Sequence, residues 1–221
     1  MKKIFLLLKR ELFVNFRNLD NLYINIFFFI LSIFIFILSF GYDNLFSKEY
    51  GHAVIWSVVL FTIILSSEQF FIEDFWDGSI RELQIIGFSS HSIILVKLLV
   101  MWILLILPIL FITPIMSLLL GIEPSEIKTL LISIALGSPS LLLISIIGII
   151  ITVQSKKNKL LLVTLILPFY IPILIFGVGS VELERKLISP TSNFFILIGI
   201  FLITLPNTLI AGNFAFREIN K

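Results

Sequence analysis

The stretch that decides the fold of this chain is Glu68–Ser90, EQFFIEDFWDGSIRELQIIGFSS, a polar interruption between long hydrophobic runs. Within it, SIRE at residues 79–82 matches the S-x-x-E capping box, in which serine and glutamate satisfy free amide hydrogens at a helix start. Apolar residues then follow at helical spacing, and Gly87 is placed to end the helix in a left-handed turn. The pattern predicts a short amphipathic helix of about two turns. A solvated loop with a chance capping box is the alternative.

The remainder of the sequence is strongly apolar. Of its 221 residues, 58% are hydrophobic and 14% are charged, and the mean hydropathy is +1.12. A water-soluble domain of this length needs more charged surface. Several runs of about twenty residues are nearly free of charge, which is the length a helix needs to cross a bilayer. We predict one all-α membrane domain over residues 1–221, with six spans at 22–40, 53–71, 93–120, 127–153, 160–179 and 194–216 and a polar loop at 181–193.

The first nineteen residues combine regularly spaced basic side chains with phenylalanines and leucines. This pattern predicts a basic amphipathic helix at residues 1–19 that lies in the membrane interface, with an extended tail as the alternative. Six spans place both termini on one side. With the termini inside, the positive-inside rule is satisfied, because only four of the 16 basic residues fall outside: Lys48, Lys128, Arg185 and Lys186. This orientation puts residues 72–90 in the cytoplasm.

The sequence offers little for catalysis. It has no cysteine and no G-x-x-x-x-G-K-[ST] segment, so it contains neither a thiolate site nor that nucleotide-binding motif. His52 and His91 fall on opposite sides of the predicted membrane and cannot share a metal ion. His52, at the outer end of span two, is a candidate heme contact because imidazole suits iron, and an interfacial polar residue is the alternative. We therefore expect no metal site and no intrinsic enzymatic activity.

Several polar or aromatic residues near the spans have simpler interpretations. Glu68 is an acid close to the hydrophobic region, and an arginine from the same side is its expected partner. Lys97 is expected to extend its ammonium group to the interface along its methylene stem. Three serines within the predicted spans are interpreted as helix-packing residues, namely Ser66, Ser67 and Ser145. The three tryptophans are interpreted as interface residues, namely Trp56, Trp76 and Trp102.

The order of motifs along the chain resembles the CcmB family, heme exporter protein B, the permease subunit of the cytochrome c maturation ABC transporter. The similarity runs from end to end. Its pieces are Lys9-Arg10-Glu11, Ile55-Trp56, EDFWDGSIRELQ at 73–84, Val96-Lys97, LPILFITPIMSLLLG at 107–121, LGSPSL at 136–141 and LPFYIPILIFG at 167–177. The combination is specific, although no single piece is.

The resemblance implies a six-helix permease whose ATP hydrolysis is performed by a separate subunit, CcmA. It also implies that the helix between spans two and three is a coupling helix seated in a groove of that ATPase. Charge contacts and apolar contacts with the ATPase are then expected from Glu73, Asp74, Asp77, Ser79, Arg81, Glu82, Leu83 and Ile86.

The resemblance further implies association with CcmC, CcmD and the heme chaperone CcmE, a homodimer within the complex, and membrane lipid but no nucleic acid as partners. Heme is the handled ligand, either exported or released as loaded chaperone. The expected compartment is the bacterial inner membrane, with the mitochondrial inner membrane as the alternative. Two other functions stay open: an ABC permease for a lipid, polysaccharide or drug, and a membrane assembly scaffold without a transport path.

Overall fold

The computed structural model describes residues 2–17, 19–40, 45–76, 78–152 and 159–219. In those ranges every regular element is helical and no β-strand occurs. The helices are α1 (Lys2–Arg17), α2 (Leu19–Phe40), α3 (Leu45–Trp76), α4 (Ser79–Ile85), α5 (Ser90–Met101), a π-helical turn (Trp102–Ile106), α6 (Leu107–Leu119), α7 (Pro124–Thr152), α8 (Lys159–Arg185) and α9 (Thr191–Ile219).

Six stretches of these helices are long and apolar enough to cross a membrane, which confirms the predicted class of all-α membrane protein with six spans. The stretches are Leu22–Phe40, Lys48–Ser67, Ser90–Leu119, Pro124–Ile149, Ile166–Arg185 and Thr191–Phe214.

Two segments predicted as polar connections are helical instead. Lys48 and Glu49, assigned to a turn before span two, lie in the first turns of α3. The loop predicted at residues 181–193 begins later, because α8 continues to Arg185. In both places charged residues suggested a loop, but Arg185 bonds to Glu126 and to the backbone carbonyls of Lys48 and Glu49, and these bonds stabilise the extra helical turns.

The core of the bundle is built around α7, which packs against α3, α6, α8 and α9. Most side chains of α7 are buried, as expected for a helix that is apolar on all sides. By contrast, α2 and α9 lie at the periphery and leave most of their apolar side chains partly or fully exposed. Such faces are suited to lipid.

The third span is a continuous helix with a local widening. The π turn Trp102–Ile106 comes immediately before α6, and Pro108 lies in the first turn of α6. Proline donates no backbone hydrogen bond, and its ring displaces the carbonyl four residues earlier. A widened turn at this point lets the helix continue past that carbonyl. The distortion at this proline therefore takes the form of a π turn.

Three helices end in the same type of turn, in which the residue after the cap has a positive φ. After α4 and α6 that residue is a glycine, Gly87 with φ 97° and Gly121 with φ 77°. After α8 it is Leu187, with φ 58°. Its amide donates to the Glu184 carbonyl at 2.8 Å, and the next amide donates to the Leu183 carbonyl at 2.9 Å. A leucine in this conformation carries a steric cost that glycine avoids.

Replacing Leu187 by glycine is expected to stabilise the protein. The side chain is 97% exposed, so its removal loses almost no packing. Glycine removes the steric cost of the left-handed conformation, but its greater flexibility in the unfolded chain offsets part of this gain. The net increase in the free energy of unfolding should be about 0.5–1 kcal/mol. Thermal unfolding in detergent measures this effect. Leu187→Ala is the matched control, because it removes the same side chain and keeps the strained backbone. Equal melting temperatures for the glycine and alanine variants would contradict the backbone strain assigned to Leu187.

Candidate functional site

The predicted short helix between spans two and three is present as α4, Ser79–Ile85. Its start differs from the predicted capping box. Gly78, which has no side-chain oxygen, occupies the cap position with φ 82°, so Ser79 is the first helical residue. The chain turns sharply there, and glycine adopts this left-handed conformation most readily. The helix end agrees with the prediction, because the amides of Gly87 and Phe88 donate to the Gln84 and Leu83 carbonyls at 3.0 Å.

The two faces of α4 have different environments. Ile80 and Leu83 are buried against the bundle. Arg81 and Glu82 are exposed, and the side chains of Ile85 and Ile86 are 77% and 68% exposed. Leu83, which the sequence assigns to the partner contact, is 3% exposed and packs against the bundle. The exposed face is therefore mixed in character, with charged and apolar groups side by side.

Other predicted site residues lie at the margin of what is described. Glu68, Glu73 and Asp74 belong to the last turns of α3, and the structure describes their backbone only. Asp77 lies outside the described residues. The expected partner of Glu68 and the roles of these acids therefore stay predictions.

A buried ion pair fixes α1 to the bundle. Lys97 of α5 donates from Nζ to Glu11 Oε2 at 3.2 Å, and both side chains are nearly fully buried. Arg10 donates from Nη1 to the other carboxylate oxygen at 2.6 Å. The prediction that Lys97 extends to the interface is therefore wrong. A signal was present in the sequence, because Glu11 follows Leu7 and Leu8 at helical spacing and so lies on the apolar face of α1.

The centre of the bundle is organised by Trp56 of α3, which is fully buried rather than placed at the interface as predicted. Its indole lies in a space left by two glycines. A Cβ added at Gly137 of α7 would lie 2.7 Å from Trp56 Cη2, and one at Gly177 of α8 would lie closer still. Trp56 Nε1 donates to Ser133 Oγ on α7 at 3.2 Å. Three helices thus meet on one side chain.

The same segments supply further buried hydrogen bonds. Trp102 donates from Nε1 to Ser138 Oγ at 3.0 Å, and Ser145 pairs with the Tyr170 hydroxyl between α7 and α8. Ser66 and Ser67 donate to carbonyls of their own helix at 2.6 Å. These bonds agree with the packing role expected of the buried serines. The family-like segments Ile55-Trp56, LGSPSL and LPFYIPILIFG are therefore contacting parts of one packed centre.

The end of the bundle opposite α4 is held together by Arg185. Its Nε and Nη2 donate to both carboxylate oxygens of Glu126 on α7 at 2.9 and 2.8 Å. Its two terminal nitrogens also donate to the backbone carbonyls of Lys48 and Glu49 on α3, at 2.9 and 2.6 Å. A guanidinium group is suited to such multiple contacts because its donors are arranged in a rigid fork. The ends of α3, α7 and α8 are joined as a result.

His52 lies one turn deeper on α3. Its ring is 1% exposed, and within the described residues neither ring nitrogen has a hydrogen-bond partner. The nearest carboxylate is that of Glu182, with Oε1 4.0 Å from Nε2. The ring does not line any of three cavities found in the described residues. Contact between His52 and a porphyrin would therefore require α3 and α8 to separate at this end.

The six spans and their packed polar centre define an α-helical membrane protein that crosses the bilayer several times. The chain belongs to the CcmB family, since the family model described as CcmB protein matches residues 2–218. It is 32% identical over 177 residues to heme exporter protein B of Pseudomonas aeruginosa, covering 80% of this chain and 79% of that protein. It is 34% identical over 176 residues to heme exporter protein B of Haemophilus influenzae, covering 80% of each. The resemblance read from the motifs is confirmed.

Adding a methyl group at either glycine beside Trp56 is expected to destabilise the bundle. Gly177→Ala should cost more than Gly137→Ala, because its Cβ meets the indole at closer range, and overpacking of this kind typically costs about 1–3 kcal/mol. Gly199→Ala on α9 is the control, since nothing lies within 4 Å of a Cβ there. In thermal unfolding in detergent, the melting temperature should fall most for Gly177→Ala, less for Gly137→Ala and least for Gly199→Ala. Partial recovery of Gly177→Ala by Trp56→Leu would identify the indole as the cause, and no recovery would contradict it.

Removing one partner of the buried pair Glu11–Lys97 is expected to release α1. An uncompensated buried charge typically costs about 3–5 kcal/mol. Limited trypsin digestion measures the release, because Lys9 and Arg10 are cleavage sites on α1. Glu11→Leu should increase cleavage most, because the Lys97 ammonium group is then buried without this carboxylate. Lys97→Met should increase it less, because Arg10 still pairs with Glu11. The double variant, which removes both buried charges, should lie closer to the parent. Equal cleavage of single and double variants would contradict the pairing.

Proposed function

We propose that this chain is the permease subunit of an ABC transporter, and that the exposed face of α4 is where a separate ATPase subunit docks. The observation that carries the proposal is the mixed face of Arg81, Glu82, Ile85 and Ile86 on a helix buried on its other side. An exposed apolar pair flanked by charges is typical of a protein interface. Glu73, Asp74 and Asp77, which precede this face in the sequence, would add negative charge to the contact.

Membership of the CcmB family supports this proposal, because the resemblance to that family implies a permease whose ATPase, CcmA, is a separate chain. The sequence contains no phosphate-binding G-x-x-x-x-G-K-[ST] segment. We therefore assign ATP hydrolysis to the partner and no enzymatic activity to this subunit. The orientation with both termini in the cytoplasm is part of the proposal, because it brings α4 and the ATPase to the same side of the membrane.

The helix α3 offers a route by which movement of α4 reaches the membrane. At about 1.5 Å per residue, the helix extends about 42 Å from the Arg185 contacts at Lys48 and Glu49 to Trp76, the end that leads into α4. In its first half, nearer to the Arg185 end, Trp56 joins α3 to α7 and α8. Displacement of α4 by the ATPase would therefore move these three helices together as a packed unit.

Heme is the proposed cargo, since the relatives carry the name heme exporter protein B. Its handling takes one of two forms: export through the complex, or release of a heme-loaded chaperone. CcmC, CcmD and CcmE are the further partners that the family resemblance implies, together with a second copy of this chain. The proposed compartment is the bacterial inner membrane.

The docking proposal is tested by the double variant Arg81→Ala with Ile85→Ser. Loss of one charged and one apolar contact should weaken binding of the ATPase subunit by at least about tenfold, and should reduce holocytochrome c formation. Co-purification and microscale binding in lipid nanodiscs measure the affinity. Lys128→Ala, an exposed basic residue at the opposite end of the bundle, is the control. Parental affinity and parental cytochrome c formation in the double variant would contradict the proposal.

A further inference from the structure

A groove runs between α8 and α9 at the end of the bundle opposite α4. Its volume is about 260 Å³. The residues that line it include three from the apolar part of α8 and three near the helix ends, namely Ile175, Phe176, Gly179, Glu182, Lys186 and Asn193. The charged groups are therefore confined to one end of the groove.

The groove has the depth of one lipid leaflet. Ile175 lies near the middle of the span Ile166–Arg185 and is 57% exposed, whereas Lys186 lies just beyond the end of that span. At about 1.5 Å per residue, these two positions are about 16 Å apart along α8, and half of the hydrocarbon core of a bilayer is about 15 Å. An acyl chain that starts at the charged end can therefore follow the groove towards the middle of the membrane.

The charged end presents one anion, one cation and one amide. Glu182 and Lys186 are four residues apart, so their side chains leave α8 about 5–6 Å from each other. Asn193 lines the same end from the first turn of α9, where the positive end of the helix favours an anion. Its Nδ2 would lie 3.1 Å from a Cβ added at Gly179. Among the described residues, the side chains of Lys186 and Asn193 form no hydrogen bond or ion pair, so both are available to a ligand.

The surface beside the charged end is apolar. Leu187 and Ile188, in the turn after α8, are 97% and 52% exposed, and Phe195 on α9 is 71% exposed. Exposed apolar side chains next to a lysine are typical of a segment that lies in the membrane interface, so the groove opens to the lipid headgroup layer. A helix of a partner protein, about 10 Å across, would cover a groove of 260 Å³ without entering it.

We propose that this groove binds one phospholipid with a zwitterionic amine headgroup, of the phosphatidylethanolamine class. The Lys186 ammonium group and the Asn193 amide donate to the phosphate, and the Glu182 carboxylate accepts from the lipid ammonium group. One acyl chain lies along Ile175 and Phe176. In this headgroup a short ethylene link joins the phosphate to the ammonium group, which suits two opposite charges one helical turn apart. The site does not depend on an ATPase, and its failure would leave the proposed function standing.

The test uses the full-length protein and defined lipids. Protein purified and delipidated in detergent is titrated with dioleoyl phosphatidylethanolamine, with dioleoyl phosphatidylglycerol, or with the first lipid in the presence of soluble phosphoethanolamine. Native mass spectrometry counts the lipid molecules bound to each chain. The variants are Lys186→Ala and Glu182→Gln, and the matched control is Lys128→Ala, an exposed basic residue near the start of α7 at the same end of the bundle.

We expect the parent protein to retain one phosphatidylethanolamine per chain and to bind phosphatidylglycerol, which has no ammonium group, at least about tenfold more weakly. Lys186→Ala should weaken phosphatidylethanolamine binding by a similar factor, and Glu182→Gln should remove the preference between the two lipids. Lys128→Ala should bind as the parent does. Soluble phosphoethanolamine should not compete, because it lacks the acyl chain.

Equal binding by Lys186→Ala and Lys128→Ala would overturn the proposal, as would equal affinity of the parent for the two lipids. Competition by soluble phosphoethanolamine would identify a site for a free phosphate ester and not for a lipid. No retained lipid, with disulfide-linked dimers forming through Phe195→Cys, would show that a second copy of the chain covers the groove, which also overturns the proposal.

A second measurement needs no substitution. Phosphatidylethanolamine with a diazirine in its acyl chain is photo-crosslinked to the parent protein in nanodiscs, and the labelled peptides are identified by mass. The proposal predicts crosslinks at residues 175–176 of α8. Crosslinks confined to α2, whose apolar face is also exposed, would overturn it.

Discussion

The packing of Trp56 into the space beside Gly137 and Gly177 is the constraint on which the rest of the bundle depends. Helix association in a membrane gains little from the hydrophobic effect, so close packing and internal hydrogen bonds must hold the helices together. The close packing comes from the Trp56 indole, which lies opposite two residues without Cβ atoms. The internal hydrogen bond is that between Trp56 and Ser133, at 3.2 Å. The arrangement has little tolerance for added volume on either partner helix.

Around this centre the two ends of the molecule are built differently. At one end Arg185 joins three helices through a carboxylate and two backbone carbonyls, so that the end is held by several bonds from one residue. At the other end α1 and α4 lie on the surface of the bundle, each held by a few contacts, and expose mixed charged and apolar side chains. In the proposed function, the long helix α3 connects the end held by Arg185 to the end that carries α4.

The sequence allowed the class and the short helix to be predicted, because both depend on local information. Runs of about twenty apolar residues specify membrane helices, and Gly87 after an apolar pattern specifies where α4 ends. The role of Trp56 was predicted wrongly, since tryptophan is common at membrane interfaces and the two glycines that receive it belong to distant segments. Lys97 was misjudged for the same reason. Its partner Glu11 lies on another helix, although an acid within the apolar face of α1 already indicated a buried contact.

The extra turns of α3 and α8 could not be predicted from local charge patterns. Lys48, Glu49 and the acids before Arg185 are typical of loops, and only the pairing of Arg185 with Glu126 and with the α3 carbonyls makes helix the better arrangement there. The burial of Leu83 against the bundle could not be predicted either, because helical spacing identifies an apolar face without showing whether the bundle or a partner covers it.

In the proposed function, α3, α7 and α8 move as one packed unit when the ATPase subunit displaces α4. Amide hydrogen exchange of the complex, recorded in the nucleotide-free and ATP-bound states, tests it most directly. The account predicts strong and equal protection of the amides around Trp56, Gly137 and Gly177 in both states, with changes confined to α1, α4 and the edges of the unit. Increased exchange around Trp56 on ATP binding would show that these helices separate during the cycle, and would contradict the account.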